Sequence, residues 1–183
     1  MMRIGRDPSV TGTKARAVAG AALIALAALS ACGPPKATNQ GRVTPSGLPV
    51  PRYVSIKFDE VNARGGPGDD YKLLWVYRAK GLPVQVVAEA DDWRRVCDPY
   101  GGLAWVKSTG LDGRQTVARL DAAALPLKDG PAANAKVAAV LAGHSVAGFD
   151  KRRGGWVRLK APGGAGWTPV SAVWGLDERQ QCR

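Results

Sequence analysis

Apolar residues fall into two regimes along this chain. From Ala17 to Leu29 they run together almost unbroken. From Tyr53 onward they come in short groups, often alternating with polar neighbours and separated by Gly, Pro and Asp. Alternation over so few positions is the period of a half-buried strand, not of a helix. It predicts strands at Tyr53-Val-Ser-Ile56 and at Leu82-Pro-Val-Gln-Val-Val87, where Pro83 stands near the start and its missing N–H is tolerated. Leu73-Leu-Trp-Val-Tyr77, without a helix cap, reads as strand or irregular core. The cluster Gly65-Gly66-Pro67-Gly68 must be a loop. Lys107 to Leu111, Asp112-Gly113 and Gln115-Thr-Val117 are expected to close this first unit.

The pattern is densest at Asp91 to Val106. Trp93-Arg-Arg-Val96 and Leu103-Ala-Trp-Val106 are two strand-like arms, and Pro99, Gly101 and Gly102 between them predict a hairpin turn. The same arrangement recurs later. Gly155-Trp156-Val-Arg-Leu159 leads through a Gly-rich turn to Trp167-Thr168, pairing Trp93 with Trp156, Arg95 with Arg158, Val96 with Leu159 and Trp105 with Trp167. Two copies of one hairpin imply two copies of one small β unit. Ala132 to Leu141 has the propensity of a helix, but its counterpart in the first copy does not, and the repeat outweighs propensity there. The expected layout is a signal segment over 1–31, a linker over 32–52, β units over 53–117 and 118–176, and a polar tail over 177–183.

The N-terminal regime has another meaning. Arg3, Arg6, Lys14 and Arg16 precede the apolar run, and Ser30-Ala31-Cys32 follows it. A basic start, an apolar stretch too short for an ordinary bilayer span and a small-residue end describe an export signal. Leu29-Ser-Ala-Cys32 resembles the lipobox of bacterial lipoproteins, which implies a lipid on Cys32, and Gly33 after it resembles the sorting signal for the outer membrane. Plain cleavage after Ala31 with release into the periplasm is the alternative. Residues 33–52 hold five prolines and almost no large apolar side chain, so they read as a tether.

Charge and cysteines narrow the context. The formal net charge is +11 over 183 residues. From Cys32 onward 22 basic residues face 14 acidic ones, a net of +8. Such a surplus suits an acidic partner or simply a solvated basic surface. With Cys32 set aside, Cys97 and Cys182 remain. In an oxidising compartment they would form one disulfide tying the tail to the first hairpin, or stay as two free thiols.

A unit of about 60 residues with Val61-Asn-Ala-Arg-Gly-Gly-Pro-Gly68, Ala79-Lys-Gly81, Trp93-Arg-Arg-Val96 and Ala104-Trp-Val106 resembles a bacterial SH3-like domain. The second copy keeps Asp129-Gly-Pro131, Gly155-Trp156-Val-Arg-Leu159 and Gly166-Trp-Thr-Pro169. Trp174-Gly175 resembles the ending of the exported tandem SH3-like proteins of proteobacteria, and Gly65 stands where that family usually has Ser. The resemblance implies an all-β fold of two small barrels in tandem, used for binding peptidoglycan peptides or envelope proteins. In eukaryotic relatives a hairpin Trp, a Pro and a Tyr hold Pro-rich peptides. Trp93 and Trp156 match the Trp and Pro169 matches the Pro. The first copy has Lys107 at the Pro position, and Gly110 and Ala172 replace the Tyr, so the peptide platform is incomplete in both copies.

Candidate contact residues are therefore Trp93, Arg95, Trp156, Arg158 and Pro169. The cluster Lys151-Arg152-Arg153, read as a turn before Trp156, could clamp a phosphate or carboxylate. An indole beside a guanidinium suits a sugar or peptide plane, although tryptophans also serve simply to cover a small barrel. No catalytic site, metal site or cofactor is expected. His144 is the only histidine. Asp69-Asp70 and Asp91-Asp92 are adjacent pairs, which point to opposite faces of a strand. The expected function is non-catalytic binding of peptidoglycan or an envelope protein, from a lipid anchor in the periplasm. The alternative is a structural or regulatory adaptor that packs on and activates an envelope enzyme. A nucleic-acid binder fits the charge but conflicts with export.

Overall fold

The computed structural model describes residues 44–182. The signal segment, Cys32 and the linker as far as residue 43 lie outside the described residues. Strands β1 (Arg52–Ile56), β2 (Val61–Arg64), β3 (Leu73–Tyr77), β4 (Pro83–Ala90), β5 (Trp93–Cys97), β6 (Leu103–Lys107) and β7 (Leu111–Asp112) form one antiparallel sheet, ordered β3-β2-β6-β5-β4-β1-β7. Strands β8 (Thr116–Ala118), β9 (Leu125–Lys128), β10 (Val137–Leu141), β11 (Val146–Arg153), β12 (Trp156–Ala161) and β13 (Gly164–Pro169) form a second, ordered β10-β9-β13-β12-β11-β8. Short 3-10 turns at Ser108–Gly110 and Val170–Ala172 follow β6 and β13. Among the described residues there is no α-helix. The Ala-rich stretch before Leu141 ends in strand β10.

The two sheets repeat each other position by position. Arg95 lies opposite Trp105 as Arg158 lies opposite Trp167, and Trp93 opposite Lys107 as Trp156 opposite Pro169. Ser55 pairs with Pro83 and Asp112 in the first sheet; Ala118 pairs with Val146 and Trp174 in the second. That register corrects one expectation. Residues 116–118 do not close the first unit. They are the second unit's opening strand, equivalent to β1, because their backbone groups are taken by β11.

Each sheet bends over its own core without its ladder of hydrogen bonds closing into a ring. Bulges between Val86 and Ala88 in β4, and between Phe149 and Lys151 in β11, fall at matching places. A bulge adds twist and lets a long strand serve both halves of a bent sheet. Ile56, Val84, Val86, Val96 and Val106 fill the first core; Leu127, Leu141, Val157 and Leu159 fill the second. Burying each such side chain is worth roughly 1.5–3 kcal/mol.

Two glycines are required by close approach. In the first hairpin turn Asp98 accepts from the amides of Tyr100 (2.9 Å) and Gly102 (2.8 Å) and from the Tyr77 hydroxyl (3.1 Å). A Cβ on Gly102 would stand 2.3 Å from an Asp98 carboxylate oxygen. Burial, followed by the charge of Asp98, pushes the Tyr77 phenol well above its ordinary range. On β13, a Cβ on Gly166 would lie 2.7 Å from Leu127 Cβ and 2.8 Å from the Lys128 carbonyl, so only glycine lets β13 cross β9 this closely.

The entry into the first sheet is held by one buried carboxylate. Glu89 accepts from the Ser46 amide (2.9 Å) and hydroxyl (2.8 Å), and pairs with Arg52 and with Arg94 (3.2 Å). Desolvation alone would raise its pKa; the Ser46 and Arg52 hydrogen bonds outweigh it and lower the value. A lowered folded pKa means that the charged form adds stability above the ordinary glutamate value of about 4.5. This contribution is lost as pH falls through the folded value. Glu89→Gln is therefore expected to destabilise the fold by about 1 kcal/mol at pH 7. Urea unfolding across pH checks this: the gap from wild type should close progressively below about pH 4.5.

Candidate functional site

The segment after β13 does not trail away as a free tail. Trp174 bridges Ala118 on β8 and packs edge-on against Tyr53 of β1, with ring centroids 5.2 Å apart. Gly175, at φ +114°, turns the chain back toward the first sheet; a Cβ there would meet the Thr116 carbonyl at 2.9 Å. The buried Gln85 amide then takes hold. Its Nε2 donates to the carbonyls of Arg179 (2.8 Å) and Asp177 (3.3 Å), and its Oε1 accepts from the Gln181 amide (2.8 Å). One residue further on, Cys182 is disulfide-bonded to Cys97 on β5, with the two Cα atoms 5.6 Å apart.

This returning segment walls a cleft of about 590 Å³, with a side chamber of about 280 Å³. Tyr53 and Arg152 line both, together with Asp177 and Glu178. Trp174 and Ser171 complete the larger chamber. The Arg152 guanidinium has no carboxylate within 4 Å among the described residues; its Nε donates only to the Gly154 carbonyl at 3.2 Å. Glu178 likewise has no cationic partner among the described residues. Asp177 differs: side-chain and backbone hydrogen bonds from Arg179, one at 2.7 Å, hold its pKa far below the ordinary carboxylate range. The buried Tyr53 hydroxyl has no hydrogen-bond partner, and burial, then the nearby Asp177 charge, pushes its pKa up to about 12. The cleft thus offers an unpaired cation, an unpaired carboxylate and two aromatic rings. This suits a ligand carrying both charges along a flat polar backbone.

The residues singled out from sequence are distributed over three places. Arg152 enters the cleft. Trp156, Pro169 and Arg153 stand side by side across β12, β13 and β11, and Lys151, Arg158 and Trp167 form the next row. Directly opposed residues share a face, so these six lie on the outer surface of the second sheet. Pro169 and Arg153 are exposed and Trp156 is half-buried. Arg158 is engaged by Asp150 at 2.6 Å, and Lys151 Nζ lies 5.8 Å from the Trp167 ring. The 151–153 cluster is the end of strand β11, not a turn; the turn is Gly154-Gly155. Trp93 and Arg95 belong to the other sheet. Trp93 is only 8% exposed, with Lys107 Nζ 6.0 Å from its ring, so it presents little surface to a ligand. Arg95 is exposed. Tyr53, Trp174 and Glu178 were not singled out. The signal available was the cysteine pair, since a tail tied to the first hairpin must cross both units. Among the described residues no group of three or more His, Cys, Asp or Glu is arranged to hold a metal ion.

The bacterial SH3 domain family model matches the chain twice, over residues 57–113 and 122–175. The chain belongs to the bacterial SH3 domain family and carries two tandem copies of it. Domains of this family are commonly binding modules and are usually non-catalytic. Two solved structures align with it. NlpC1 from Trichomonas vaginalis is 12% identical, with a TM-score of 0.31, over 68% of this chain and 45% of that one. NlpC2 from Trichomonas vaginalis is 10% identical, with a TM-score of 0.31, over 67% and 47%. This chain therefore spans less than half the length of either structure. No curated protein matches it.

The disulfide closes a sequence separation of 85 residues. Chain entropy puts such a closure at about 4–5 kcal/mol, and measured losses run at about 2–5 kcal/mol. The Cys97→Ser, Cys182→Ser double variant is expected to lose stability in this range in denaturant unfolding. Hydrogen exchange adds a local readout: the Gln181 amide should lose protection well before the amides of β12.

Proposed function

We propose that this chain is a non-catalytic binding module of the bacterial cell envelope that recognises the peptide portion of peptidoglycan. The cleft between the returning segment and the two repeats is the binding site. The observation that supports this is the pairing of an uncommitted Arg152 with an uncommitted Glu178 beside the Tyr53 and Trp174 rings. A stem peptide carries carboxylates and a free amine along a flat amide backbone. Arg152 would take a carboxylate in bidentate fashion, Glu178 would take the amine, and the rings would lie against the amide planes. Trp156 and Pro169, beside the 3-10 turn that lines the cleft, would extend the contact surface. Binding purified sacculi to the full chain tests the reading. The Arg152→Ala, Glu178→Ala variant removes two exposed side chains from surface positions and should fold normally. It is expected to bind at least about tenfold more weakly, the equivalent of one lost charge-assisted contact. Equal binding by variant and wild type would refute the assignment.

A second reading, an adaptor that packs on an envelope enzyme, is favoured by one separate feature. Edge strand β3 and the loop before it expose Tyr71, Leu73 and Leu74 at 51%, 44% and 43%. Apolar side chains on an open sheet edge suit a protein partner. A stoichiometric protein co-purifying from solubilised membranes, lost in a Leu73→Lys, Leu74→Lys variant, would select this reading.

We place the protein in the periplasm, held at the outer membrane by a lipid on Cys32, on the strength of the N-terminal pattern. Several acyl chains would anchor it through about 0.8 kcal/mol per buried CH₂. Mass spectrometry of the mature N-terminus is expected to find Cys32 as the first residue, carrying acyl chains. A first residue of Cys32 without lipid would instead mean release.

A further inference from the structure

A further cavity, of about 480 Å³, opens at the junction of the two repeats; Gln115 and Phe149 line both it and the side chamber of the cleft described above. The first repeat contributes Ile56, Lys57 and Lys80; the second contributes Phe149 and Lys160; Arg114 comes from the connection between them. The junction is fixed by the connection itself. Thr116 Oγ1 donates to the Gly81 carbonyl at 2.7 Å, joining the opening strand of one repeat to the turn before β4 of the other. The cavity is therefore a built space and not a gap between independently moving parts.

Its chemistry is one-sided. Four cationic side chains line it together with an apolar floor formed by Phe149. Two carboxylates stand close by, and both are committed: Asp112 binds Arg114 through Nε at 3.0 Å and Nη2 at 2.7 Å, and Asp150 holds Lys160 at 3.2 Å and Arg158 at 2.6 Å. Lys57 and Lys80 have no carboxylate within 4 Å among the described residues. Lys57 Nζ instead lies 5.2 Å from the Phe58 ring. Lys57 and Lys80 are exposed lining residues without a bound carboxylate, so both are free to take an anion at this cavity.

We propose that this cavity binds a small organic anion whose charged head, a carboxylate or phosphate ester, is held by Lys57 and Lys80. Its apolar body lies on Phe149. The volume fits a ligand of modest size, within the usual range of about 300–1,000 Å³. Both repeats are needed, so the site is a property of the tandem and of neither copy alone. It shares Phe149 with the side chamber of the peptide-binding cleft, but its four cationic residues, Lys57, Lys80, Arg114 and Lys160, line neither chamber of that cleft.

Isothermal titration calorimetry of the full chain with 1-naphthyl phosphate, in parallel with inorganic phosphate, tests it. Wild type is expected to bind one equivalent of 1-naphthyl phosphate and to bind inorganic phosphate at least about tenfold more weakly, since the floor then contributes nothing. The Lys57→Ala, Lys80→Ala variant removes two unpaired surface ammonium groups, so its fold should be intact by circular dichroism. It should weaken 1-naphthyl phosphate binding by at least about tenfold. Arg152→Ala, Glu178→Ala should leave this binding unchanged, which separates the site from the other cleft. Absence of binding to wild type, equal affinity for both phosphates, or full binding by the lysine variant would each overturn the proposal.

Discussion

One buried amide organises the part of the molecule that is not simply two copies of a small sheet. Gln85 is 1% exposed, and all of its side-chain hydrogen bonds run to the backbone of the returning segment. A buried primary amide left unsatisfied costs about 1–3 kcal/mol. Position 85 therefore both requires this segment and fixes where it must lie. The disulfide then makes the placement permanent. Without this pair of constraints nothing would hold Asp177 and Glu178 beside Arg152.

The consequence for recognition is a division of labour. Most of the basic and aromatic residues that catch the eye in sequence are used within the sheets. Arg158 is committed to Asp150, Lys151 and Lys107 lie over indole rings, and Trp93 is buried. Among the charges left without an ion-pair partner, Arg152 and Glu178 line the cleft, and Lys57 and Lys80 line the cavity at the junction of the repeats. A side chain already satisfied gains little by binding; one held near a low-dielectric wall without a partner gains more.

Much of this fold was legible in the sequence because a period of two, punctuated by Gly and Pro, has few other solutions. The Trp-Arg-Val hairpin appears twice with the same register, and the duplication outweighed the helical propensity of the Ala-rich stretch. The boundary between the repeats was not legible in the same way. Residues 116–118 are only a three-residue strand, and whether such a segment ends one sheet or begins the next depends on which neighbour takes its hydrogen bonds. The site was legible only in fragments. Arg152 stood out by its charge, but it shared this with Lys151 and Arg153. The alternation of faces at the end of β11, invisible without the strand's register, separates them. Tyr53 and Glu178 are 125 residues apart in sequence and become neighbours only through the covalent return of the tail.

That return also alters how the molecule would carry a mechanical load. Tension applied between residue 44 and residue 182 runs along the first part of the chain to Cys97 and crosses directly through sulfur to Cys182. Residues 98–181, the whole second repeat included, hang off this line as a closed loop outside the covalent path of the force. A molecule tethered at one end and tugged at the other could lengthen only through residues 44–97, and the second repeat would be spared direct extension as long as the disulfide holds.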